Sequence, residues 1–257
     1  MKPYVRTLVC TLALCGTLAG AEAAVVIDPT QPVAGITQLQ LSQQWWQWAL
    51  SAPASSSPLL DTTGAFAGAN NNGPVFFVAG NLAGGTTSRT FAVPAGRPIF
   101  FPLVNAFDIE FQPAPDCPLH PGDPLQCAFD FIPGVGAATG LNATLDGQDL
   151  LTFPSFRQTS TGFFDFDLPA GSLLTDLFGL PAGHYDMISD GFWVALDGLS
   201  PGHHTLVFGG TIPELAPGFP PFTLEVTNTV VVPEPATFAL LGLGLAGLAF
   251  SRRRKLS

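Results

Sequence analysis

The sequence predicts an all-β fold, an antiparallel β-sandwich of jelly-roll type with one short N-terminal amphipathic helix, and three observations carry that expectation. Short runs rich in Val, Phe, Leu and Thr recur along the body, at residues 75–79, 90–93, 99–104, 141–145, 162–168, 191–196, 203–208 and 222–231. Turn-forming groups separate them: Pro94-Ala95-Gly96, Asp146-Gly147, Pro169-Ala170-Gly171, Pro181-Ala182-Gly183 and Pro201-Gly202. Such strands at this spacing, with little helical periodicity between them, suit a two-sheet architecture. Finally, 22 phenylalanines supply a core large enough to exclude disorder, despite 28 glycines and 25 prolines.

The helix is expected near residues 37–50. Thr37 is placed to cap it, with Gln40 three residues on as the reciprocal partner and Ile36 able to staple to Leu41. Leu41, Trp45 and Trp48 then share one face, and Pro53 with the serines at 55–57 ends the element. Trp45 and Trp48 are expected to pack on the sandwich. Trp46, turned about 100° away by the helical period, is left as a candidate for stacking on a sugar ring. Trp193 is a second glycan-binding candidate, because alternation in a strand sets it with Ala195 opposite Phe192, Val194 and Leu196, and one of those sides should be less buried.

Both ends of the chain read as membrane-directed. Lys2 and Arg6 precede an apolar run at residues 8–19, and Ala21-Glu22-Ala23 fits a signal-peptidase site, so residues 1–23 are expected to be a signal peptide. Residues 232–257 carry Pro233-Glu234-Pro235, a predominantly apolar segment at 236–250, and then Arg252, Arg253, Arg254 and Lys255. Fifteen helical residues span roughly 22 Å, short of the ~30 Å hydrocarbon core, so the basic run would have to snorkel to complete a crossing. The positive cluster should remain cytoplasmic and place residues 24–231 on the far side.

This tail resembles the PEP-CTERM sorting signal of exopolysaccharide-producing Gram-negative bacteria, on the strength of Pro233, Glu234, Pro235, the apolar span and Arg252 to Arg254. The resemblance implies export through the inner membrane, transient residence there, and processing by an exosortase-type enzyme. The protein would end at the cell surface or outside the cell, beside exopolysaccharide. Residues 73–80, 93–102 and 185–208 also resemble segments of secreted bacterial proteins, which implies a single evolved domain at residues 24–231 and no particular activity.

Within that body only Arg89, Arg97 and Arg157 face 17 carboxylates, and there is no lysine. Such a surface excludes nucleic acid as a partner, since that binding depends on Lys and Arg neutralising phosphates. The cysteines of the body are Cys117 and Cys127, flanking a proline-rich run, and a disulfide is expected in an oxidising compartment. A metal site built from this pair and His120 is the less favoured reading.

Catalytic constellations are hard to assemble. His203 and His204 are adjacent, so a strand points them to opposite faces. No nucleophile elbow, HExxH, P-loop or Rossmann fingerprint occurs. Asp165 and Asp167 share one strand face, as Asp108 and Glu110 would, and such pairs serve either glycoside hydrolysis or calcium binding. The sequence therefore favours a non-enzymatic structural or glycan-binding module without a cofactor. A carbohydrate-active hydrolase using Asp165 and Asp167 is the alternative.

Overall fold

The computed structural model describes residues 24–110, 119–214, 218 and 220–234. The elements in chain order are β1 (Val25–Val26), α1 (Gln38–Ser51), β2 (Phe76–Phe77), β3 (Gly85–Ala92), β4 (Ile99–Glu110), α2 (Pro124–Asp130), β5 (Thr139–Leu145), β6 (Gln148–Asp149), β7 (Arg157–Thr159), β8 (Phe164–Leu168), α3 (Leu173–Phe178), β9 (Gly183–Asp197), β10 (Gly202–Ile212) and β11 (Phe222–Val232). The expected signal peptide and the helix at 236–250 lie outside the described residues. Among the described residues, no helix is long and apolar enough to cross a membrane.

The strands form two sheets. In the first, β9 is the spine: β4 pairs with it antiparallel over its length, while β1, β7 and β8 share its other flank. β2 adds to the far side of β4 for two residues only, in parallel. The second sheet runs β3-β11-β10-β5-β6, with β10 and β11 paired along all 11 residues. β3 lies parallel to β11, from Gly85 opposite Leu224 to Ala92 opposite Val231. Both sheets are thus mixed, which corrects the expected purely antiparallel arrangement. No hairpin joins β3 to β11 or β2 to β4, so no turn geometry forces them to run in opposite directions.

Phe101, Leu103 and Val194 of the first sheet meet Leu206, Phe208, Leu224 and Val226 of the second in the main core, with the Phe101 and Phe208 rings 4.7 Å apart. The other face of the first sheet is buried too. There α1 lays Leu41, Trp45 and Trp48 over Phe100, Met187, Trp193 and Ala195. A sheet covered on both faces needs apolar side chains at successive positions, which is why residues 192–196 read as a continuous apolar run.

The helix forms as the sequence suggests: Thr37 caps it, and the reciprocal bond with Gln40 is made. Trp46 does not become a free face. It is buried, because Phe107 rises from β4 to meet its ring at 4.6 Å and Trp45 packs edge-on at 4.9 Å. Two short helices, α2 and α3, add to the expected one. Seven and six residues are too few to show a period, and their signals are local: Asp123 accepts from the Gln126 N–H, with Pro124 as the first residue of α2, and Gly179 closes α3 at φ 68°. β9 also starts eight residues before the expected strand at 191, with Tyr185 to Asp190 extended rather than turning.

Candidate functional site

The strand that leads into the tail lies in the middle of the second sheet. Val232, the last residue of β11, is buried opposite Gly202, and Pro233 and Glu234 follow at once in solvent. Pro235 and Arg252 to Arg254 lie outside the described residues. At the other terminus Val25 pairs with Asp197 at the end of β9. Asp197 and Gly202 are the two sides of the β9 to β10 connection, so the first and last strands of the described body, β1 and β11, meet at the same end of the sandwich. Pro233 follows the last buried residue of β11 directly.

That end of the molecule carries a partly buried histidine paired with an exposed carboxylate. His204 Nδ1 lies 2.7 Å from Asp146 Oδ2 and its Nε2 2.9 Å from the Ser200 carbonyl. Burial alone would lower the His204 pKa, but the Asp146 hydrogen bond, the Ser200 carbonyl and the Asp146 charge together hold it above the ordinary value. His203, next in the strand, is exposed, as alternation requires.

Asp165 and Asp167 do share a face of β8. Both are exposed, and His184 of β9 sits between them, its Nε2 3.2 Å from Asp165 and its Nδ1 3.0 Å from Asp167. The hydrogen bond to Asp167, with the charges of both carboxylates, raises the His184 pKa. Asp186 stands opposite Asp165 in register, and one donor atom each from Asp165, His184 and Asp186 falls within 4.8 Å of the others. One imidazole with carboxylates suits a borderline divalent ion better than calcium, which takes 6–8 oxygens. As an acid and base pair the aspartates are poorly placed. They stand side by side on open strand surface, 86% and 81% exposed. Asp108 is more perturbed: burial, assisted by the Glu110 charge and opposed by the Ile109 backbone, pushes it up to about 6.

The three arginines of the body are all engaged. Arg89 is buried and donates to the carbonyls of Asp61, Ala79 and Gly80, Arg97 donates to those of Asn71 and Val75, and Arg157 grips Asp190. With these three cations against 17 carboxylates, the body remains strongly acidic. Cys127 is buried in α2; Cys117 lies outside the described residues.

Trp193 is fully buried. It stacks on Phe100 at 5.2 Å with planes 3° apart, and packs edge-on against Trp45 at 5.3 Å, so it offers no surface to a glycan. The expectation of a less buried side fails because α1 covers it. Trp46 instead borders a cavity of about 250 Å³ between α1, β4, β11 and the residues after β2 and α2, walled by Trp45, Leu82, Phe107, Phe131 and Phe222 among others. Asn105 is its polar member on β4. The close approach there depends on Gly191, where a Cβ would stand 2.7 Å from that of Asn105 and 2.6 Å from Trp193 Nε1. Sequence reading missed this cavity, since its walls come from six separate segments.

The outer face of the second sheet is different in kind. Thr86, Ser88 and Thr90 of β3, Thr223, Thr227 and Thr229 of β11, and Thr205 and Thr211 of β10 all point outward, with Glu225 the single carboxylate among them on these three strands. Thr205, Thr229 and Thr90 lie directly across from one another, and the Thr211 and Thr223 hydroxyls are 3.0 Å apart. The sequence signal of this face is period-two alternation of Thr or Ser with buried residues.

Comparison with known proteins adds one positive finding. The family model described as the PEP-CTERM protein-sorting motif matches residues 231–255, so the chain carries that motif, beginning on the last two residues of β11. No curated protein matches the chain. A solved structure, the solution structure of Amebosin, aligns with 56% of this chain and 95% of its own at 11% identity, with a TM-score of 0.17 that carries no argument. The motif indicates a secreted protein sorted by exosortase to the cell surface or beyond.

Proposed function

We propose that this PEP-CTERM protein is a non-enzymatic structural module of the cell surface or extracellular matrix, held among exopolysaccharide by the hydroxyl-bearing face of its second sheet. The observation that carries the reading is that face: three neighbouring strands present aligned Thr and Ser side chains with a single charge. Hydroxyls exchange hydrogen bonds with a polysaccharide as readily as with water, so each contact is weak and a flat array gains strength by repetition. An indole platform plays no part, since all four tryptophans are buried. The meeting of β1 and β11 at one end of the sandwich supports the export route.

Co-sedimentation of the processed protein with exopolysaccharide from the producing cells tests this. Replacing Thr205, Thr227 and Thr229 together by Val keeps shape and strand preference while removing three hydroxyls. The variant should remain in the supernatant. Equal sedimentation of variant and wild type would exclude the face as the contact.

A further inference from the structure

We propose that His184 Nε2, Asp165 and Asp186 bind one divalent transition-metal ion of the zinc, nickel or copper class, with Asp167 orienting the imidazole. The four residues form a square on two paired strands: Asp165 of β8 lies directly across from Asp186 of β9, and Asp167 directly across from His184. All four point away from α1, because Phe166 and Leu168, which alternate with the two aspartates of β8, are buried in the cluster beneath that helix. One donor atom each from Asp165, His184 and Asp186 lies within 4.8 Å of the others, and His184 Nε2 is already 3.2 Å from Asp165 Oδ1. Donors bound at about 2.0–2.1 Å around a tetrahedral ion stand roughly 3.3 Å apart, so a small turn of exposed side chains closes the site. It lies on the first sheet, apart from the hydroxyl face of the second, and does not depend on it.

The imidazole at the centre sets this group apart from a solvated acidic face. Its Nδ1 is 3.0 Å from Asp167, the arrangement that fixes the tautomer of a metal-bound histidine and leaves the Nε2 lone pair to the ion. The strands are firmly placed here, since Gln47 of α1 donates to the Asp167 carbonyl at 2.6 Å and accepts from the Asp167 N–H at 3.0 Å. Charge also favours a cation. Glu110 of β4 lies directly across from Asp186 on its other flank, so Glu110, Asp186 and Asp165 stand in a row over three adjacent strands. Like charges directly opposite one another are destabilising, and the arginines of the body are held at carbonyls and at Asp190. A dication offsets two of these charges at once. The nitrogen decides the metal class: calcium and magnesium take oxygen ligands, whereas imidazole with carboxylates suits zinc, nickel or copper. Three protein ligands leave a further position to water.

Calorimetric titration of the processed protein, stripped with a chelator, with zinc chloride tests the site. One ion should bind per chain with micromolar affinity, and a roughly hundredfold excess of calcium should not displace it. In the unaltered protein the ring resonances of His184 should move on adding zinc while those of His204 stay in place, a readout that needs no variant to fold. His184→Gln and Asp186→Asn should each weaken zinc binding at least roughly tenfold, and Asp167→Asn several-fold through the lost orientation of the ring. All three lie on exposed strand surface, so their melting temperatures without zinc should stay close to wild type. His203→Gln, exposed on β10, should bind zinc as wild type does. No saturable zinc binding, or undiminished binding by His184→Gln, would overturn the site. Equal affinity for calcium would overturn the metal class.

Discussion

Arg157 and Asp190 hold β7 to the spine of the first sheet: the guanidinium donates through Nε at 3.0 Å and through a terminal nitrogen at 2.5 Å to the two oxygens of a nearly buried carboxylate. Thr159 adds a third bond to the same group at 2.8 Å. Removing the arginine would leave a buried anion with one hydroxyl. We expect Arg157→Ala to cost roughly 2 kcal/mol, less than the ~3–5 for a fully buried pair because Arg157 is 40% exposed. Arg157→Ala with Asp190→Asn should recover much of that loss. Denaturant melts of the single and double variants measure both, and an additive double variant would refute the coupling.

The His204 and Asp146 pair makes stability at one end of the sandwich depend on pH. The folded His204 pKa is raised, so its contribution is complete below the ordinary value near 6.5 and is lost as pH rises through the folded value. For Asp146, burial is outweighed by its bonds to His204 and Thr205, which hold its pKa low, so its contribution fades only as pH falls below the ordinary carboxylate range. The difference in melting temperature between wild type and His204→Gln should be largest near pH 5 to 6 and shrink above pH 8. A difference that stays constant across this range would exclude a charged imidazole.

We propose that Cys127 is bridged to Cys117 in the exported protein. Closing a loop of about this length contributes about 2–3 kcal/mol in the chain-entropy account. Cys117→Ser should lower the melting temperature by several degrees with little change in far-UV dichroism. Thiol labelling of exported material should find neither cysteine reactive, and finding both reactive would end the proposal.

The junction between β11 and the tail makes the sorting motif easy to test without disturbing the fold, because Pro233 and Glu234 are exposed and lie beyond the last paired residue. Exchanging Pro233-Glu234-Pro235 for three alanines should leave a larger species in the membrane fraction of a blot. Unchanged size and location would show that processing reads another feature.

Several features were legible because they depend on a few neighbouring residues. The capping box of α1 is three residues of local geometry, and the sorting motif is an uninterrupted string of rigid, apolar and basic parts. The strands at 139–145, 202–212 and 222–232 were found within a few residues because one face of the second sheet meets solvent, which writes alternation into the sequence. β9 defeated the same reasoning: covered on both faces, it shows a plain apolar run, and its acidic first half looks like a turn until β4 and β8 are in place beside it.

The sequence by itself determined that this is a β-rich, lysine-free acidic body carrying a PEP-CTERM tail, since composition and contiguous motifs need no partner to be read. Tertiary structure alone decided that β3 runs parallel to β11, that Trp46 and Trp193 are buried, that Asp165 and Asp167 share His184 on open surface, and that Trp46 and Asn105 meet at one cavity. Each of these joins residues distant in the chain. Their position is set by how much apolar surface two sheets and a helix can bury together, a quantity that no local pattern contains.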